Sequence, residues 1–193
     1  MFRRSNNPSA AFREPHWTRL RDRRLPGTPA RIHAWLADPG SLTRSVIATC
    51  RGRFRVELVA QRHDSAWPSE VAILGAGPAQ ATWVREVRLH CDRDAWVFAR
   101  TLMPICSLRG PLRALTQLGR RPLGEVLFSD PTTRRLRVEV ARITPRHRLF
   151  AHATAHLRRP PAAIWGRRTL FAYGGERILV NELFLPDVPV LQA

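Results

Sequence analysis

The sequence predicts an α+β domain built on one antiparallel β-sheet of about six strands with flanking helices. Two observations carry that prediction. Apolar and polar residues alternate with period two in residues 54–58, 83–89, 96–102, 136–141 and 178–185, the pattern of strands with one buried face. Turn chemistry then joins neighbours: Cys91-Asp92-Arg93-Asp94 links 83–89 to 96–102, and Gly174-Gly175 links 165–173 to 178–185. Both read as antiparallel hairpins.

The other elements follow in order. Residues 1–15 hold Arg3, Arg4, Asn6, Asn7 and Pro8 with little periodic apolar content, so a flexible basic tail is expected before a single domain at 16–193. A helix is predicted over 29–37, capped by Thr28, with Ile32, Trp35 and Leu36 as its apolar face. Asp38-Pro39-Gly40 stops it, and Ser41-Leu42-Thr43-Arg44 opens a second segment. Pro68, Gly75, Gly77 and Pro78 suggest a loop, and 111–118 reads as a helix ended by Gly119. Residues 121–128 form a turn entering a short apolar element, and 142–163 give no clear element.

Composition narrows the function classes. A chain of 193 residues can bury a core without disulfides or metals. No apolar run approaches the roughly 18 residues of a membrane span, and no secretory signal is visible, so a cytoplasmic protein is expected. Cys50, Cys91 and Cys106 are odd in number and widely spaced, which predicts three buried, inert thiols. His147, His152 and His156 lie near one another but lack an acidic or Cys partner in sequence. The net charge of +17 would ordinarily raise nucleic acid. All 32 basic residues are Arg, however, and they are spread along the chain, so no specific nucleic-acid partner is expected.

The stretch Trp83-Val84-Arg85-Glu86-Val87-Arg88-Leu89 frames the functional question. It puts Arg85 on the face of Trp83, Val87 and Leu89, and a buried arginine is costly unless something negative meets it. That partner is either an acidic residue of the fold or an anionic ligand. Arg100 likewise sits among Trp96, Phe98 and Leu102, and Glu182 among Ile178, Val180 and Phe184. No P-loop, GxGxxG, HExxH, GxSxG or CxxC motif occurs.

Several stretches, taken in order, resemble the chorismate lyase family. They are Asp38-Pro39-Gly40-Ser41-Leu42-Thr43-Arg44, Trp83-Val84-Arg85-Glu86-Val87, Phe98-Ala99-Arg100-Thr101-Leu102-Met103-Pro104 and Leu118-Gly119-Arg120-Arg121-Pro122-Leu123-Gly124. Leu127-Phe128, Trp165-Gly166-Arg167-Arg168 and Asn181-Glu182-Leu183-Phe184-Leu185-Pro186 continue the series. The resemblance covers roughly residues 30–186 and is weakest in the N-terminus and 142–163.

The resemblance implies an enzyme that converts chorismate to 4-hydroxybenzoate and pyruvate, the entry step to ubiquinone. It implies a monomer without metal or organic cofactor, and a closed internal cavity beneath flaps. Arg85 matches the arginine that holds the ring carboxylate, and Leu123 the leucine whose main-chain N–H supports it. Glu182 matches the glutamate that meets the ring hydroxyl, as anchor or as base for the adjacent hydrogen. Leu42 falls at a flap position of main-chain contact, where methionine can stand elsewhere. Arg100 is a further candidate, either for the enolpyruvyl carboxylate or for an ion pair with Glu86 or Glu182. Arg167 and Arg168 read as surface or structural residues. The ligand-sensing domains of some bacterial transcription factors are similar in fold, so a non-catalytic aromatic-acid-binding domain is the alternative. In those proteins a DNA-binding domain precedes the fold, and the roughly 30 residues before the match are too few for one.

Overall fold

In the computed structural model, which describes residues 13–20, 27–77 and 80–191, one seven-stranded antiparallel sheet organises the chain. Its strands are β1 (Thr18–Arg19), β2 (Phe54–Ser65), β3 (Ala81–Cys91), β4 (Asp94–Pro104), β5 (Arg134–Ile143), β6 (Ile164–Tyr173) and β7 (Glu176–Phe184), in the spatial order β1-β5-β6-β7-β4-β3-β2. The helices are α1 (Ala30–Ala37), α2 (Leu42–Thr49), α3 (Pro68–Leu74), α4 (Pro111–Leu115), α5 (Leu123–Ser129) and α6 (Arg148–Thr154). Both expected hairpins form. Gly174 and Gly175 take φ of 58° and 81°, the left-handed backbone that a two-residue hairpin turn of type I′ requires.

The sheet is covered on both sides. Ile32, Trp35 and Leu36 of α1, with Leu42 and Val46 of α2, pack on Val56, Val87 and Leu89. Leu112 and Leu115 of α4 and Leu127 of α5 extend that layer over Met103, Phe171 and Val180. On the other side, Leu149, Phe150 and Ala153 of α6 pack on Phe98, Ile143 and Leu183, and Ile73 and Leu74 of α3 on Val84, Leu102 and Leu179.

Several expectations need correction. The segment read as a loop at 68–78 contains α3. Pro68 is its first residue, where a missing N–H costs nothing, and Gly75 is its left-handed C-cap, with φ of 68°. Proline and glycine here mark the ends of an element rather than its absence. Residues 142–163, which gave no clear element, contain α6, whereas the short apolar element expected after the turn at 121–122 is α5. The N-cap of α1 is Pro29 rather than the expected Thr28, and no side chain caps the helix. Of the expected tail, residues 1–12 lie outside the described residues, while the Arg13 N–H donates to the Arg146 carbonyl at 2.9 Å.

The cysteine expectation is overturned. Cys50, the C-cap of α2, and Cys91, the last residue of β3, form a disulfide with Cα atoms 5.6 Å apart. The chain leaving α2 turns straight into β2, whose first residue Phe54 pairs with Cys91, so a 41-residue separation closes. Cys106 is free and exposed. The histidines do not converge either. His147 Nδ1 accepts from the Thr144 N–H at 2.9 Å, whereas His152 Nδ1 lies 2.9 Å from Glu86.

Candidate functional site

Between the sheet and the α1/α2/α4/α5 layer lies a cavity walled by Val87, Leu89, Ala99, Leu127, Phe128, Phe171 and Val180. Its volume is about 50 Å³, space for roughly four waters at the 10–15 Å³ that one occupies. The polar side chains at its walls are those of Arg85, Glu182, Thr43 and Thr101.

Arg85 comes from β3 and is 3% exposed. Its Nη2 donates to the carbonyls of Gly119 and Arg121, each at 2.9 Å, which fixes the guanidinium against the turn before α5. Buried Nε donates to no described group. Burial alone lowers its pKa from 12.5 to about 10, with no carboxylate contributing among the described residues. A buried cation at a cavity wall with no carboxylate partner among the described residues is suited to receive an anion.

Glu182, on β7, sits diagonally across the sheet from Arg85. Register runs Arg85–Thr101–Val180 in one row and Val87–Ala99–Glu182 in the next. A strand spacing of about 4.8 Å and a rise of about 3.3 Å per residue put the two Cα atoms roughly 12 Å apart. Glu182 Oε2 accepts from Arg167 Nε at 2.7 Å, and Oε1 accepts no hydrogen bond from the described residues. The site therefore has a cation at one corner, a carboxylate oxygen at the other, and apolar walls between.

Two helix starts close the cavity. Leu42 opens α2 and Leu123 opens α5, so both N–H groups lack acceptors within their helices. Neither N-cap residue, Ser41 nor Pro122, supplies a side-chain bond. The two starts touch at Gly124, where an added Cβ would lie 2.9 Å from both Ser41 Oγ and Thr43 Oγ1. Only glycine permits that approach.

The model of the family described as "Chorismate lyase" matches residues 14–191. The chain belongs to the chorismate lyase family. A relative from Aromatoleum aromaticum, named "Probable chorismate pyruvate-lyase", is 41% identical over 165 residues, 84% of this chain and 89% of its own. Another of that name, from Thiobacillus denitrificans, is 39% identical over 158 residues, 82% of this chain and 84% of its own. Among solved structures, PhnF from Mycobacterium smegmatis aligns with a TM-score of 0.56 at 18% identity, covering 81% of this chain and 68% of that one. A PhnF C-terminal domain aligns with a TM-score of 0.55 at 14% identity, covering 69% and 83%. At these identities the likeness is one of fold.

Of the residues singled out by the resemblance to the chorismate lyase family, Arg85, Glu182, Leu42 and Leu123 all reach the cavity. Arg100 does not. An unbroken two-residue hairpin would set Arg100 opposite Arg85, on the same face. A β-bulge between Leu89 and His90 shifts the register by one, so Arg85 faces Thr101 and Arg100 faces Glu86. On the far side of the sheet Arg100 Nε and Nη2 donate to Glu70 at 3.0 and 3.2 Å, and Nη1 to Glu86 at 2.8 Å. Trp67 lies 4.1 Å over its guanidinium.

Arg167, read as a surface or structural residue, is structural and buried: it lies behind the cavity lining and positions Glu182. It is 2% exposed, holds Glu182, and donates from Nη1 to the Asp38 carbonyl at 2.6 Å. Its signal was present: counting back from the Gly174-Gly175 turn places Arg167 directly opposite Glu182, as the register has it. Arg168 alternates to the other face, where Nε donates to Glu139 at 2.5 Å.

Proposed function

We propose that this protein eliminates pyruvate from chorismate to give 4-hydroxybenzoate, acting as a monomeric cytoplasmic enzyme without metal or organic cofactor at the entry to ubiquinone synthesis. The observation that carries the reading is Arg85, buried at the cavity wall with no carboxylate partner among the described residues. Arg85 takes the ring carboxylate through charge-assisted hydrogen bonds, supported by the Leu123 N–H. Glu182 Oε1 accepts from the ring hydroxyl at the other corner, beside the Leu42 N–H.

The chemistry asks little of these groups beyond placement. The C–O bond to the enolpyruvyl group breaks, the neighbouring carbon that bears the hydroxyl loses its hydrogen as a proton, and the departing enolpyruvate takes up a proton at its methylene carbon to become pyruvate. The six-membered ring becomes aromatic, which supplies the driving force. No water or redox equivalent is consumed. A site that holds chorismate by both ends in a dry cavity and favours the elimination-ready geometry accelerates such a step chiefly through positioning. Arg167 occupies one oxygen of Glu182 and fixes the plane of the carboxylate, which suits the role of anchor.

Incubation of the purified protein with chorismate tests the proposal. Equimolar 4-hydroxybenzoate and pyruvate are expected, by absorbance and by a coupled pyruvate assay. Tight binding of 4-hydroxybenzoate with no turnover of chorismate would instead identify a non-catalytic aromatic-acid-binding domain of this fold.

A further inference from the structure

The connector between α1 and α2 is held by side chains of the sheet through three successive main-chain carbonyls. Arg167 Nη1 donates to Asp38 O at 2.6 Å, Arg135 Nη1 to Pro39 O, and Arg135 Nη2 to Gly40 O at 2.5 Å. The connector is itself tied to α2, since Asp38 Oδ1 accepts from the Gly40 N–H at 2.7 Å and Oδ2 from Ser45 Oγ at 2.5 Å. It therefore moves with the start of α2, which carries Leu42 and Thr43 over the cavity.

Arg135 also reaches the other half of the closure. Its guanidinium lies 5.1 Å from the Phe128 ring of α5 and 5.6 Å from Phe171 of β6, both of them cavity-wall residues. Its neighbours are mixed in sign: Arg167 opposes its charge, and Glu182 and Asp38 favour it, against a burial that lowers its pKa. Among the described residues it pairs with no carboxylate within ion-pair distance and does not line the cavity. Its donors instead meet the backbone of the connector, and its planar face meets the aromatic wall.

We propose that Arg135 is the latch of the lid formed by α2 and α5, a positioning residue that sets how fast ligand enters and leaves without touching it. The assignment of the ligand rests on the function proposed above; the latch itself rests on the contacts of Arg135. Loss of the clamp frees the connector, and the start of α2 then opens more often. Entry and exit pass through the same opening and quicken together.

The test compares wild type with Arg135→Gln by hydrogen exchange in the absence of ligand, and by stopped-flow binding of 4-hydroxybenzoate. Exchange is expected to rise about tenfold or more at amides 40–45 and 123–126, the scale of one or two lost charged hydrogen bonds, with β3, β4 and β7 unchanged. Association and dissociation rates should both increase, with Kd moving less than either. Arg135→Lys, a single ammonium that cannot span two carbonyls as the fork does, should fall between and serves if the glutamine variant does not fold. Unchanged exchange at the lid overturns the latch, as does a rise spread over the whole sheet. A faster dissociation with unaltered association also overturns it, because that marks a direct ligand contact. If wild type fails to bind 4-hydroxybenzoate while lid exchange rises in the variant, the latch stands and the ligand assignment falls.

Discussion

Arg85 and Arg100 sit on adjacent strands, both buried, and the protein treats them in opposite ways. Arg100 meets two glutamates, and their charges and hydrogen bonds raise its pKa against the burial that would lower it. Arg85 meets two backbone carbonyls and no carboxylate among the described residues, and burial lowers its pKa to about 10. The first is a finished structural network. Glu70 alone accepts from Arg100, the Trp67 N–H at 3.0 Å and Asn181 Nδ2 at 3.2 Å. The second faces the cavity with no carboxylate partner among the described residues. Burial of an arginine therefore does not by itself mark a site; Arg85 differs from Arg100 in facing the cavity without such a partner.

The largest effect should come from the satisfied side. Arg100→Met leaves Glu70 buried without its cation and takes from Glu86 one of its partners, His152 and Arg62 remaining, and should cost about 3–5 kcal/mol in denaturant melts. The fraction that folds should still bind 4-hydroxybenzoate as wild type does. Arg85→Ala should do the reverse. Affinity for 4-hydroxybenzoate falls by about 100-fold, in line with loss of charge-assisted hydrogen bonds worth roughly 3 kcal/mol, while the melting temperature holds or rises because an unpaired buried cation is gone. Equal destabilisation by both substitutions would erase the distinction.

A third expectation concerns pH. Burial opposes ionisation of Glu86, but hydrogen bonds and charges from His152 and Arg100 outweigh it and lower the pKa from 4.5 to about 2. A carboxylate whose pKa is depressed by folding contributes stability that is present above about pH 4.5 and lost as pH falls toward 2. Glu86→Gln should therefore flatten the acid limb of the stability profile between those values, measured by urea melts. The smallest effect is expected of Glu182→Gln. If Glu182 anchors the hydroxyl, kcat falls by about tenfold or less, since the amide oxygen still accepts a hydrogen bond; a fall of about a thousandfold or more would make it the base.

Much of this was legible in the residues themselves. The alternation around Arg85 showed an arginine on an apolar face, and the Gly174-Gly175 turn set the register that brings Arg167 to Glu182. What stayed hidden were events that depend on one residue or on distant chain. The bulge at Leu89/His90 inserts a single position and moves Arg100 to the other face, and period-two alternation carries no mark of it. The counter-ion Glu70 comes from α3, whose proline and glycine read as a loop. The Cys50–Cys91 bond depends on β2–β3 pairing, which no cysteine spacing reveals. The role proposed for Leu42 and Leu123 is one of main-chain N–H groups, so their side chains look like ordinary core, and only the family resemblance singled them out.

Arg85 is proposed as the receptor for a ligand carboxylate. Calorimetric titration of wild type and Arg85→Ala with 4-hydroxybenzoate and with its neutral carboxamide tests it most directly. Wild type should prefer the acid by about 100-fold, and the variant should bind the two alike, a coupling of roughly 3 kcal/mol across the cycle. An undiminished preference for the acid in Arg85→Ala would contradict the account.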